Sequence, residues 1–224
     1  MNPVFVAIDT AQLRVARKLV SAVAPHVGGL KLGLQFFASN GPAGVRALAE
    51  HGLPLFLDLK FHDIPNTVSR AVQSVGTLAP AILTVHAAGG RAMLARARKV
   101  APSDTKVVAV TVLTSLSDRD LQGAGVRESV AQNAARLARL AKECGLDGIV
   151  CSPLEVAAIR DAWPDGYLVV PGIRPAGSAR DDQKRSATPA AALASGASIL
   201  VIGRPITGAA DPGAAAAAIV AGLG

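Results

Sequence analysis

Four ionisable side chains stand in runs that are otherwise apolar. Asp9 follows VFVAI, Lys31 lies inside GGLKLG, and Asp58 and Lys60 close LPLFLDLK. A parallel strand covered on both faces reads as continuous Val, Ile and Leu, and a charge placed there is costly unless it serves a purpose. Side chains alternate along a strand, so Asp58 and Lys60 share one face while Leu57 and Leu59 share the other. With the leucines turned toward helices, the charges face a barrel axis. The loop that follows carries Phe61, His62, Asp63, Ile64, Pro65, Asn66 and Thr67, and Pro65 marks the first turn of a helix, which leaves Asp63 just ahead of it. The lysines and carboxylates of Lys31, Asp58, Lys60 and Asp63 are able to form an alternating array, each sign flanked by the other. An ammonium fixed in such an array stabilises negative charge that develops beside it. The plain alternative is an ion-pair network that plugs the barrel mouth. Buried lysine is rare and perturbed groups gather at functional sites, which favours chemistry.

These residues need a scaffold that collects strand ends. Strand-length apolar runs recur at Val4 to Ile8, Gly29 to Leu32, Leu55 to Leu57, Ile82 to Val85, Val107 to Val112, Gly148 to Val150, Leu168 to Val170 and Ile199 to Ile202. Segments of helical period lie between them, among them Leu13 to Val23, Val68 to Leu78, Val130 to Glu143 and Pro189 to Ser195, and Pro212 to Leu223 closes the chain. A capping residue precedes proline at Ser152-Pro153, Thr188-Pro189 and Asp211-Pro212, each marking a helix start. Eight alternations in 224 residues predict an α/β fold, a single (β/α)8 TIM barrel, with residues 1–224 forming one catalytic domain. An open doubly wound sheet is the rival architecture. Its dinucleotide-binding version is weakened because no GxGxxG follows the first strand.

Barrels build their sites at the C-terminal ends of the strands and often place phosphate after strands 7 and 8. Those loops carry PGIRPAGSARDDQ, with Arg174 and Gln183, and IGRPIT, with Gly203 and Arg204. Arginine suits bidentate contact with phosphate, and glycine lets backbone N–H groups come close. Taken singly each arginine is an ordinary surface cation; their joint placement suggests a phosphate site.

Composition narrows the function classes. The net charge of +7 is scattered and aromatics are only 3%, too few stacking platforms for nucleic acid, so a basic enzyme with an anionic substrate is expected. The longest apolar stretch, Ala214 to Leu223, is about half the ~20 residues of a membrane span, and the start MNPVFVAIDT lacks the pattern of a signal peptide. Cys144 and Cys151 are expected as reduced, buried thiols of a cytoplasmic protein. The four histidines form no metal motif, and no metal or other cofactor is expected. His86, at the end of the fourth strand, reads equally well as an inner histidine with satisfied hydrogen bonds, and His62 as loop structure.

The run DLKFHDIPNT, Asp58 to Thr67, resembles the active-site signature of the orotidine 5′-monophosphate decarboxylases. The similarity extends through AIDT, GLKLGLQFF, TVHAAGG, AVTVLTS, VCSP, VVPGIRPAGS and VIGRPIT, nearly the whole chain. The resemblance implies cofactor-free conversion of orotidine 5′-monophosphate to uridine 5′-monophosphate. It implies that Lys60 protonates C6 of the pyrimidine between Asp58 and Asp63, with Lys31 on the ribose side. It also implies that Asp9 contacts the ribose and Thr114 the pyrimidine, while Arg174, Gln183, Gly203 and Arg204 bind phosphate and close over the base. Asp63, Ile64 and Thr67 would reach into the active site of a second subunit, giving a homodimer with shared sites. The nearest rivals are magnesium-dependent sugar-phosphate decarboxylases and hexulose-phosphate synthases, which share a DxK pattern but carry an acidic residue where this chain has Lys31 and lack the IPNT continuation. A catalytically silent phosphate-binding barrel is the remaining alternative, and it has no need of alternating buried charges.

Overall fold

The computed structural model describes residues 2–175 and 185–223. Eight strands, β1 (Val4–Ala7), β2 (Gly29–Gly33), β3 (Leu55–Phe61), β4 (Ile82–His86), β5 (Lys106–Val110), β6 (Gly148–Val150), β7 (Tyr167–Val170) and β8 (Ile199–Ile202), pair in parallel in chain order. β8 then pairs with β1, so the sheet closes into a (β/α)8 barrel and the open-sheet alternative is excluded. Around it run α1 (Leu13–Val23), α2 (Leu34–Ala49), α3 (Pro65–Gly76), α4 (Gly90–Val100), α5 (Asp118–Gly123), α6 (Val130–Glu143), α7 (Val156–Ala162), α8 (Pro189–Ala194), α9 (Arg204–Thr207) and α10 (Pro212–Ala221). Among the described residues no helix is long and apolar enough to cross a membrane.

The period-two alternation of the strands divides the apolar residues into two cores. Val4, Val6, Ile8, Leu30, Leu32, Leu57 and Leu59 point outward and pack with helix residues such as Val20, Phe36, Val72 and Leu94. Phe5, Ala7, Phe56, Ile82, Val108, Val169, Ile199 and Val201 fill the barrel interior. The leucines flanking Asp58 therefore face the helices, and the charges face the axis, as the alternation requires.

Helix starts follow local chemistry. Pro65, Pro189 and Pro212 all occupy first-turn positions, and the Thr188 and Asp211 side chains accept N–H groups of Ala191 and Ala214. Ser152-Pro153 departs from this expectation. The Ser152 hydroxyl accepts the N–H of Leu154 while Glu155 folds back onto Ser152, so the segment closes as a turn and α7 begins only at Val156. Within α2, Gly41 (φ 56°, ψ −161°) breaks the helix ahead of Pro42.

Phe5 lies opposite Gly29 in the β1–β2 register, and a Cβ on Gly29 would stand 2.3 Å from the Phe5 ring. Glycine here makes room for one of the two phenylalanines of the inner core. Gly29→Ala is expected to destabilise the fold by about 1–3 kcal/mol in denaturant unfolding. Combining it with Phe5→Leu should recover part of that loss, and strict additivity of the two changes would refute the steric account.

Candidate active site

The C-terminal strand ends bring four charges into one line. Lys31 Nζ lies 3.2 Å from Asp9 Oδ1 and 3.6 Å from Asp58 Oδ2, and Lys60 Nζ lies 2.7 Å from Asp58 Oδ1. Lys31 and Asp58 are each only 9% exposed. Each buried charge therefore has an opposite neighbour, without which its burial would be strongly unfavourable. Burial pushes the Asp58 carboxyl upward, but Lys31, Lys60 and a hydrogen bond from Thr84 outweigh it and hold the group below its ordinary value. Gly33 leaves space for the line, since a Cβ there would sit 2.9 Å from Lys31 Nζ and 3.1 Å from Asp9 Oδ1.

Within one chain the fourth member of the array is Asp9, not Asp63. Asp63 lies on the outward loop into α3, is exposed, and accepts the N–H of Ile64 at 2.6 Å. Among the described residues it makes no ion pair. β1 is hydrogen-bonded to β2, which carries the Asp9 carboxylate to Lys31, whereas Pro65 turns the chain away from the barrel immediately after Asp63. Ile64, 66% exposed, and Thr67 lie on the same outer surface.

Lys60 occupies a left-handed backbone conformation, φ 50°, where the β3–β4 register shifts between Leu57 and Phe61. Its N–H donates to the Thr84 hydroxyl at 2.8 Å, and that hydroxyl lies 3.1 Å from Asp58 Oδ1. Thr84 was not expected from sequence; its signal is a polar side chain at an inward position of the apolar run ILTVH. Two residues on, His86 stacks on His62 with ring centres 5.1 Å apart and accepts the N–H of Ala88 through Nδ1. Burial, His62 and Lys60 all push the His86 imidazole down.

The array floors a cleft with two unlike lobes that share Lys31, Asp58, Pro171 and Val201. One lobe is lined mainly by apolar groups, including Phe56, Val110, Val112, Leu113, Val150 and Cys151, with Thr114 among its few polar residues. The other holds Asp9, Arg174, Gly203, Arg204 and Thr207. Arg174 is buried, and its backbone N–H donates to Ala187 O, which joins the two ends of the β7–α8 connection. The structure thus brings Asp9, Lys31, Asp58, Lys60, Thr114, Arg174, Gly203 and Arg204 to one cleft. Gln183 lies outside the described residues. Burial drives the Cys151 thiol far above its ordinary range, which suits a wall residue and not a nucleophile. Behind that wall Glu155 pairs with Arg185, whose guanidinium also donates to Leu113 O at 2.9 Å. This pair spans thirty positions and has no local sequence signal.

Residues 2–219 match the family model described as "Orotidine 5′-phosphate decarboxylase / HUMPS family". The chain belongs to this family. It is 58% identical over 222 residues to proteins named orotidine 5′-phosphate decarboxylase from Sphingopyxis alaskensis and Novosphingobium aromaticivorans, with 99% of each chain covered in both cases. Among solved structures, orotidine 5′-phosphate decarboxylase from Lactobacillus acidophilus is similar at 38% identity and a TM-score of 0.87, covering 100% of this chain and 99% of that one. Family membership and the cleft agree: the matched region contains every strand that contributes to the array.

Two groups give the folded state an acid sensitivity of known sign. A depressed His86 resists protonation that the unfolded chain accepts, so stability is full above its ordinary value of 6.5 and falls as the pH drops below it. Asp58, also depressed, adds a second loss below its ordinary value of 3.8. The thermal midpoint measured against pH should show both declines, and His86→Gln should remove only the first. An unchanged profile in that variant would refute the assignment to His86.

Proposed function

We propose that this chain decarboxylates orotidine 5′-monophosphate to uridine 5′-monophosphate in de novo pyrimidine biosynthesis, as a single cytoplasmic barrel domain that needs no cofactor. The observation that carries this reading is the Asp9-Lys31-Asp58-Lys60 line set between an apolar lobe and a cationic lobe. A planar pyrimidine fits the first lobe, with Thr114 as its polar contact. The phosphate fits the second, on Arg174, Gly203 and Arg204; the family resemblance assigns Gln183 the same role. The ribose bridges the two beside Asp9 and Lys31.

In this pose the C6–carboxylate bond lies at Lys60 and Asp58. Its cleavage releases CO₂ and leaves the electron pair on C6, in an orbital the ring delocalises poorly. The Lys60 ammonium stabilises that pair electrostatically and then donates its proton to C6; solvent later returns a proton to the amine. The Asp58 carboxylate repels the substrate carboxylate but not neutral CO₂, so it raises the ground state relative to the products. Contacts to the distant phosphate contribute binding energy that offsets this repulsion.

The exposed Asp63, Ile64 and Thr67 support a homodimer in which Asp63 of the partner subunit completes the array beside Lys60, with Ile64 and Thr67 of the partner subunit against the substrate. The family resemblance and the absence of Asp63 from the line within one chain both favour this arrangement.

Ultraviolet absorbance should record conversion of orotidine 5′-monophosphate by the purified protein at equal rates with and without excess EDTA; loss of turnover in EDTA would point to a metal-dependent relative. Lys60→Ala should lose at least about 10²–10⁴-fold in kcat while still binding uridine 5′-monophosphate. Retained turnover would remove Lys60 from the mechanism. Lys60→Ala and Asp63→Ala proteins, each inactive alone, should regain activity when their subunits are mixed. Random exchange leaves half the dimers mixed with one intact site in each, about a quarter of the wild-type rate. No recovery in mixed dimers would exclude shared sites.

A further inference from the structure

The geometry points to Thr84 as a positioning residue for the decarboxylation, one that sets both the proton donor and its counter-ion through a single hydroxyl; this rests on the decarboxylase reading above. Thr84 is fully buried at an inward position of β4, between Ile82 in the barrel core and His86 at the strand end. It lies beside the place where β3 leaves regular pairing, between Leu57 and Phe61. A strand that leaves its ladder exposes backbone donors, and here the N–H of Lys60 is taken by Thr84 Oγ1 at 2.8 Å.

A hydroxyl has one hydrogen and two lone pairs. With a lone pair occupied by the Lys60 N–H, its hydrogen is directed to the acceptor that remains, Asp58 Oδ1, 3.1 Å away. That oxygen also holds Lys60 Nζ at 2.7 Å, while Oδ2 faces Lys31 at 3.6 Å. Three atoms of the array, Lys60 N, Lys60 Nζ and Asp58 Oδ1, are thus tied to each other around one small side chain. The left-handed conformation of Lys60, unusual for a residue with a Cβ, is held by the same bond. Without the hydroxyl, the Lys60 N–H is left buried without this partner and the carboxylate is free to rotate toward Lys31. The ammonium then no longer has a fixed origin, and misplacement by a fraction of an ångström weakens a step that depends on preorganised charge. Thr84 does not line either lobe of the cleft, so its effect runs through Lys60 and Asp58 and not through contact with substrate.

Thr84→Val keeps the shape of the side chain and deletes the hydroxyl; Thr84→Ser keeps the hydroxyl and deletes the methyl group. Turnover of orotidine 5′-monophosphate and the dissociation constant of uridine 5′-monophosphate are measured for both. The expected result is a loss of about 10- to 100-fold in kcat for Thr84→Val, the scale of a lost hydrogen bond to a charged group. Nucleotide affinity should stay within about threefold, and Thr84→Ser should recover most of the rate. A wild-type kcat in Thr84→Val overturns the inference. So does an equal fall in rate and affinity, or a Thr84→Ser protein as slow as the valine variant, since both describe packing alone. If Thr84→Val does not fold, Thr84→Ala against Thr84→Ser carries the same comparison with the same outcomes. A wild-type chain that fails to turn over orotidine 5′-monophosphate refutes the decarboxylase reading instead, so the two failures are distinguishable.

Discussion

The Lys31 ammonium, buried between the carboxylates of Asp9 and Asp58, is the interaction on which the mouth of this barrel depends. An ion at this depth is tolerated only with opposite charge on both sides, and the carboxylates are in turn delivered by two other strands. Parallel pairing of β1 with β2 and of β2 with β3 brings all three residues to the same end of the sheet. Gly33 is part of the same constraint, because any larger residue would meet both Lys31 and Asp9. Once Lys31 is fixed, Asp58 is held ionised, and an ionised Asp58 keeps Lys60 in place. Removing Lys31 leaves Asp9 without its partner and removing Asp58 leaves Lys60 without its own, whereas loss of either end member leaves the inner pair intact.

The cleft above the line separates two kinds of binding. Its apolar lobe, walled by Val110, Val112, Leu113 and Val150, lowers the local dielectric, which strengthens every charge interaction on the floor. Its cationic lobe, with Arg174 and Arg204, lies at the ends of β7 and β8 on the far side of Asp58 and Lys31. The two lobes are linked by a rigid strand scaffold, and in the proposed reading, with phosphate in one and the reacting ring in the other, this is the condition for remote contacts to act on the reacting bond.

Much of this was legible in the sequence for identifiable reasons. The eight strands stand out because buried parallel strands are short Val, Ile and Leu runs, and Lys31, Asp58 and Lys60 stand out because charge does not belong in them. Arg174, Gly203 and Arg204 stand out because the strand count puts them in the loops after strands 7 and 8, and they line one lobe of the cleft. What stayed hidden depends on partners distant in sequence. Thr84 looks like an ordinary strand residue until β3 is placed beside β4, and the Glu155–Arg185 pair has no local pattern. The capping signal at Ser152 misleads because its hydroxyl, accepting the Leu154 N–H, and the Glu155 carboxylate, accepting the Ser152 N–H and hydroxyl, close a turn, and the helix begins only at Val156. Asp9, 22 positions from Lys31, reaches its ammonium because β1 pairs with β2, whereas Asp63, close to Lys60 in sequence, makes no ion pair among the described residues of one chain.

The left-handed Lys60 shows why this site cannot be reduced to a list of charges. In a regular strand Asp58 and Lys60 would project side by side, about 7 Å apart along the strand, each as free to point to solvent as to the other. The break in β3 pairing turns Lys60 out of that arrangement and lets its ammonium fold back onto Asp58 at 2.7 Å. Such a backbone conformation costs of order 1–3 kcal/mol and persists only where the surroundings over-determine it. Here they do: Thr84 holds the amide, Asp58 holds the ammonium, and Leu59 between them is anchored in the outer core. The strain is the means by which a stiff strand presents a cation at a defined point, and the closed barrel around it supplies the rigidity that keeps it there.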